Sequence, residues 1–174
     1  MDVEDIVKVF NPIRSCFVLS LLPVSLLVAS PSFAKDTGYV FVSSEDDSIV
    51  SVLDGKTYDK VKDIKTSKRP RHLRFNSDKT QIYAACGDGE SIDIIDVAKL
   101  EVVDKIGDIE DPAAFDWSPD NKTLYISLED DGALGMIDPA SKKMIKEVEV
   151  GEEPEGVLAS PDGNIRHGSA DISL

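Results

Sequence analysis

The sequence predicts an all-β chain built as a partial β-propeller, about three four-stranded blades of 42-residue period. Three observations carry that prediction. Pro70, Pro112 and Pro154 stand 42 residues apart, and so do Asp78, Asp120 and Asp162, then Phe41, Tyr83 and Tyr125, then Asp54, Asp96 and Asp138. Four columns holding one register without an insertion mark a chain of stacked repeat units. Each period divides into short, β-rich pieces separated by polar turns. No segment after residue 34 keeps a 3.6-residue apolar period long enough for a helix. A single four-stranded unit cannot cover both of its faces, and stacking such units around an axis covers them.

Residues 1–34 read as a signal peptide. The run CFVLSLLPVSLLVA (16–29) is apolar apart from Ser20, Pro23 and Ser25, and Ser32 and Ala34 supply small residues before Lys35. A short apolar core followed by a small-x-small site is the pattern of a cleaved export signal. Lys8 and Arg14 give it positive charge, offset by Asp2, Glu4 and Asp5. The run is short for a bilayer and Pro23 weakens it as a helix. The expected protein is therefore periplasmic or secreted, with no stable membrane insertion after cleavage; the alternatives are a start downstream or a segment retained as an anchor. Cleavage removes Cys16 and leaves Cys86 in the strand-like stretch 82–86, where a free cysteine is usually buried. Two cysteines are too few for a zinc cluster or a disulfide framework.

Residues 35–164 form the repeat region. Three strands are expected between residues 38 and 64. The second period follows with 71–75, 80–86, 91–96 and 100–106, and the third with 113–117, 123–128, 133–138 and 144–150. A last strand is expected at 155–159. Ser118-Pro119-Asp120 and Ser160-Pro161-Asp162 suit tight turns, because proline fixes φ and the carboxylate accepts the next amide. Asp54, Asp96 and Asp138 end their periods and read as turn residues, not catalytic ones. Residues 165–174 lose the apolar-Tyr-apolar core and read as an aberrant tail. The strands make three blades' worth, whereas propellers close with four or more. The ring is expected to be incomplete, or to be completed as a homo-oligomer that hides the open strand edges.

The net charge is −14, from 19 basic and 33 acidic residues. That sign excludes a chain that coats nucleic acid or an anionic membrane. A hydrophobic content of 41 % is enough for a folded domain rather than a disordered tail.

The third period, PAAFDWSPDNKTLYISLEDDGALGMID from Pro112 to Asp138, shows the full pattern of proline, apolar residue, Ser-Pro-Asp turn, apolar-Tyr-apolar strand, acidic turn and Ile-Asp ending. In this it resembles the YVTN family of β-propeller repeats, over residues 38–164. The stretches GYVFVSSEDDSIVSVLD (38–54) and KRPRHLRF (68–75) are similar to the exported YVTN propeller found alongside pyrroloquinoline-quinone-dependent alcohol oxidation in bacteria. The haem-d1 domain of nitrite reductases resembles the same repeat class more distantly. The resemblance implies an exported binding module, accessory to periplasmic PQQ-dependent alcohol oxidation. The rival it leaves open is a fragment of a haem-d1-like redox propeller or of a lactonase-like hydrolase.

The candidate site is a basic island: Lys65, Lys68, Arg69, Arg71 and Arg74 in an acidic chain. Arg69, Arg71 and His72 open an innermost strand, which places them at the propeller mouth. Read functionally, they contact a small anionic ligand or a protein partner. Read structurally, they are a solvated loop that offsets nearby acids. His72 could hold a ligand or a haem iron, or serve as a polar rim residue. Its repeat equivalents are Ala114 and Gly156, so the repeat itself does not demand it. His167 lies in the tail and carries no assignment. Glu45-Asp46-Asp47, Asp88 with Glu90, and Glu129-Asp130-Asp131 recur at one turn of each period. Hard oxygen ligands suit calcium, but the spacing is not that of an EF-hand, and a solvated turn accounts for it. No Gly-x-Ser-x-Gly elbow and no paired-histidine motif is present, so no catalytic residue, metal or cofactor is assigned. Gly87-Asp88-Gly89 reads as a hairpin turn, and Trp117 as packing.

Overall fold

Alternating apolar residues and polar turns make each repeat an antiparallel meander in the computed structural model, which describes residues 38–161, 165–167 and 170–172. The signal segment 1–34 lies outside the described residues. The first sheet holds β1 (Tyr39–Ser44), β2 (Ile49–Asp54) and β3 (Lys60–Lys65). The second holds β4 (Pro70–Phe75), β5 (Gln81–Cys86), β6 (Ser91–Asp96) and β7 (Glu101–Ile106). The third holds β8 (Pro112–Trp117), β9 (Leu124–Leu128), β10 (Ala133–Asp138) and β11 (Lys143–Glu149). A fourth, short sheet holds β12 (Val157–Ala159), β13 (Ile165–His167) and β14 (Ala170–Ile172). Within each sheet the strands lie in chain order, so β4 and β8 are the first, inner strands and β3, β7 and β11 the outer ones. The fold is all-β, with blades of three or four strands.

The fourth sheet goes further than the sequence reading, which expected no strand after 155–159. Here β12 pairs antiparallel with β13, and β13 with β14.

The sheets stack face to face, and this stacking is the core. Each sheet has a trailing face, toward the next repeat, and a leading face, toward the previous one. Val50, Val52 and Ile64 of the first sheet pack on Ile82, Ala84, Cys86 and Ile95 of the second. Tyr83, Ala85, Ile92 and Ile94 of the second then pack on Phe115, Leu124, Ile126, Leu128 and Ile137 of the third. Leu134 and Met136 continue the series against Val157 of the fourth. A polar lock joins the first pair: buried Asp93 accepts the Ser67 amide at 2.6 Å and the Ser67 hydroxyl at 2.8 Å. A buried carboxylate needs such partners, because an unmatched one is costly.

Turn chemistry repeats with the period. Asp54, Asp96 and Asp138 each cap their own turn, accepting from the amides of Lys56, Ala98 and Ala140 at 2.8, 2.9 and 2.9 Å. Positive φ recurs at Ser48, Glu90 and Gly132, and at Tyr58, Leu100 and Lys142. The outer strands are largely exposed and rich in Lys and Glu, which blunts them as pairing edges.

Ile126 is fully buried between the second and third sheets, whereas Ile145 on β11 is 61 % exposed. Ile126→Ala is expected to cost about 2–5 kcal/mol and Ile145→Ala about 0.5 kcal/mol or less, read from urea unfolding midpoints.

Candidate functional site

The inner strands β4 and β8 begin with a proline, Pro154 stands three residues before β12, and the residue before each proline has left-handed backbone geometry. Arg69, Asp111 and Glu153 precede Pro70, Pro112 and Pro154 with φ of 57°, 29° and 49°. Such a conformation in a non-glycine residue costs roughly 1–3 kcal/mol and persists only when its surroundings enforce it. Here the main chain helps: Gly87 N–H donates to the Arg69 carbonyl at 2.9 Å, and Glu129 N–H to the Asp111 carbonyl at 3.3 Å. Both donors lie at the start of the acidic turns. The bends therefore set the side chains of 69 and 111 beside those turns. Gly87 makes room for this, since a Cβ there would stand 2.5 Å from Asp111 Oδ1.

The result is an ionic network across three blades. Arg69 reaches Glu45 at 3.4 Å in the first sheet, Asp88 at 3.5 Å in the second, and Asp111 at 3.3 Å at the entry to the third. Arg71 pairs with Glu129 and lies 3.8 Å from Asp111. The Arg71, Asp111 and Glu129 side chains are only 16 %, 14 % and 21 % exposed, so this part of the network is largely shielded from water. Burial raises the Asp111 carboxyl above the usual aspartate range; Glu129 and Asp130 push the same way, against the pull of Arg69 and Arg71. Burial alone would lower Arg69, but Asp111, Glu45, Asp88 and Glu129 together hold it above its ordinary value.

Of the three candidate residues, Arg69 and Arg71 come together around Asp111, engaged with carboxylates of their own chain. His72 goes elsewhere. Its ring stands edge-on to Phe115 of the next inner strand, 5.0 Å between centres and at 78°. Its Nε2 is closed off from solvent without a hydrogen-bond partner. Burial, and then the charge of Arg74, push the imidazole below its ordinary value, outweighing Asp116 and a backbone hydrogen bond with Phe115. His72 is therefore neutral at pH 7 and packs between inner strands. The side chain of His167 lies outside the described residues.

Two carboxylates central to this geometry were not singled out from the sequence. One is Asp111. The other is Asp116, buried, 2.9 Å from Arg74 and accepting from the amides of Trp117 at 2.7 Å and Ala159 at 3.0 Å. It ties the second, third and fourth sheets together. The signal was present: Arg69 and Asp111, and Arg74 and Asp116, are opposite charges one period apart.

Beside the network, and sharing Glu129 with it, Asp130, Asp131, Glu149, Glu152 and Glu153 line a cleft of about 390 Å3. Among the described residues no group of three or more His, Cys, Asp or Glu is arranged to hold a metal ion. Cys86 is fully buried and its thiol is pushed up to about 12, chiefly by burial, which leaves it un-ionised and unreactive at neutral pH.

Comparison with known proteins is consistent with this geometry. The model of a family described as YNCE-like β-propeller matches residues 74–163. Among solved structures, hydrazine synthase of Kuenenia stuttgartiensis is similar with a TM-score of 0.66 at 21 % identity, over 74 % of this chain and 38 % of that one. Dihydro-heme d1 dehydrogenase NirN in complex with DHE is similar with a TM-score of 0.53 at 16 % identity, over 66 % of this chain and 28 % of that one. The chain therefore spans well under half of either protein, and at these identities the likeness is one of fold. No curated protein sequence matches the chain.

The lowered His72 value sets a pH dependence. The unfolded chain binds this proton more readily than the folded one, so the stability it contributes is complete above about pH 6.5 and is lost as pH falls through the lower folded value. Asp54, Asp78, Asp120 and Asp138, held low chiefly by hydrogen bonds in their turns, act only below about pH 4. Thermal midpoints are expected to drop between pH 7 and 5, and His72→Phe should flatten that limb while leaving the acid limb in place.

Proposed function

The chain belongs to the YNCE-like β-propeller family, and from that premise we propose that it is a non-enzymatic binding module whose contact surface is the mouth around Arg69 and Arg71. The observation that carries this reading is the cross-blade network. Loops of three repeats are tied into one ionic cluster, shielded from water at Arg71, Asp111 and Glu129, which fixes a surface before any partner arrives. A fixed surface binds without the entropy cost of ordering loops.

The partner's chemistry follows from what the network leaves over. Both guanidiniums face internal carboxylates, so a small anion would have to compete with them. The neighbouring turns still carry Asp46, Asp47, Glu90, Asp130 and Asp131, and the adjoining cleft adds Glu152 and Glu153. The partner is therefore a protein presenting a basic face, steered by charge and weakened by salt. Export to the periplasm fits the N-terminal pattern. A place beside PQQ-dependent alcohol oxidation is supported by the resemblance of residues 38–54 and 68–75 alone. A haem-ligating role is less well supported, because His72 Nε2 is enclosed rather than presented.

The test is binding of a nonalysine peptide by the full chain at 50 and 300 mM salt. Binding should weaken about tenfold or more with salt, as screened surface charge does. Substituting Asp46, Asp47, Asp130 and Asp131 by Asn should abolish it, while Glu101→Gln with Glu147→Gln on the outer strands should leave it. Equal losses from the two sets would remove the mouth as the contact surface.

A further inference from the structure

The inner strands differ at their two ends. β4 and β8 start beside the arginine network and finish, at their far ends, in Arg74-Phe75 and Asp116-Trp117. One period on, β12 carries Leu158 and Ala159 in the same two columns. Described residues of these strand ends, and of the turns that follow them, line a groove of about 470 Å3. It shares no lining residue with the ionic network or the acidic cleft.

The walls are apolar and held in place. Phe75, Leu158, Pro119 and Pro161 are exposed there, and Trp117 is half-buried. The Phe75 ring stands edge-on to Phe41, 6.0 Å between centres. The Trp117 indole is fixed twice, edge-on to Tyr83 at 4.9 Å and by Nε1–H donating to the Phe75 carbonyl at 3.1 Å. Rings set in advance lose little freedom when a flat ligand lies against them. The third member of that column is Ala159, so two repeats bring a ring and the third only a methyl group.

The polar chemistry is one-sided. Asp116 is the only acid among the described lining residues, and its side chain is 5 % exposed. Its oxygens are occupied: Oδ1 takes the Trp117 amide at 2.7 Å and Arg74 at 2.9 Å, and Oδ2 takes the Ala159 amide at 3.0 Å. Arg74 is 44 % exposed and meets Asp116 through Nη2. A guanidinium has five N–H donors, so Arg74 keeps donors for a ligand while Asp116 has buried its acceptors. A carboxylate matches such donors, best in a fork that reaches two of them.

We propose that this groove binds a small aromatic monocarboxylate, its ring against Phe75 and Trp117 and its carboxylate on Arg74. A neutral aromatic ligand leaves the guanidinium donors without the charged partner they favour. A volume of about 470 Å3 lies within the range of small-molecule sites.

The chain contains a single tryptophan, Trp117, so indole emission reports on this groove. Titrating the full chain with 3-phenylpropionate should change that emission saturably below about 10 mM, the range open to a ligand of this size. 3-Phenylpropionamide, the same body without the charge, should bind about tenfold more weakly. Phe75→Ala should weaken the acid about fivefold, with the β-sheet circular dichroism retained. Leu158 is 60 % exposed, so it can be changed without opening the core. Leu158→Glu should weaken the acid about fivefold by repulsion, and Leu158→Lys should not weaken it. No saturable change up to about 10 mM overturns the proposal. Equal binding of acid and amide overturns the role given to Arg74. Equal affinities of the Leu158→Glu and Leu158→Lys chains, or an unchanged one in a folded Phe75→Ala chain, overturn the placement in this groove. Should Phe75→Ala unfold the chain, the two ligands and the two Leu158 variants decide alone.

Discussion

A four-stranded antiparallel sheet with apolar residues on both faces has no stable existence alone, and everything else in this molecule follows from that constraint. β5 and β6 have buried residues on every side: Ile82, Ala84 and Cys86 look one way, Tyr83 and Ala85 the other. The second and third sheets are therefore each sandwiched between two others. The 42-residue period, the absence of insertions and the matching turn geometries are what such a stack requires. The outer strands face solvent and are free of the constraint, and their sequences carry Lys and Glu instead.

The same stacking brings inner strands close together, so residues one period apart touch. Arg69 meets Asp111, Arg74 meets Asp116, and Trp117 Nε1–H donates to the Phe75 carbonyl at 3.1 Å. At the rim Asp54, Asp96 and Asp138 each cap a turn inside their own sheet, and the contact between neighbouring sheets there is the ion pair of Lys142 with Asp104 at 2.6 Å, residues from different columns. The two regions therefore obey different rules. A column that acts locally can repeat the same residue. A column whose members meet must avoid like charges and do best with opposite ones.

That difference accounts for what the sequence showed and what it withheld. The period, the strands of the second and third sheets, the aspartate turns and the burial of Cys86 rest on local patterns and on identity between columns, which can be read along the chain. The ion network rests on columns that differ, Arg69 against Asp111 and Arg74 against Asp116, and a search for identity passes over them. The left-handed residues were hidden for another reason. Ser48, Tyr58, Leu100 and Asp111 are not glycine or asparagine, and their positive φ is imposed by turn bonds such as Tyr58 N–H to the Asp54 carbonyl at 2.8 Å. β13 and β14 were missed because the repeat columns were followed by their apolar-Tyr-apolar pattern, which residues 165–174 lack.

Function is confined by the same geometry. The sheet faces are consumed by stacking, and Cys86, Asp93, Asp116 and His72 are drawn into the contacts between sheets, so none of them is free for chemistry on an outside molecule. What remains is the set of turns at the mouth and the groove at the far ends of the inner strands. The turns can vary in charge without disturbing the stack, because Asp46, Asp47, Asp130 and Asp131 lie outside the core clusters, while the arginines beneath them hold the loops in place. Specificity for a partner can therefore change at the tips of the acidic turns at little cost in stability. A change at Arg69, Asp111 or Arg71 alters the surface and the joints between blades together, which binds recognition to the stacking of the blades.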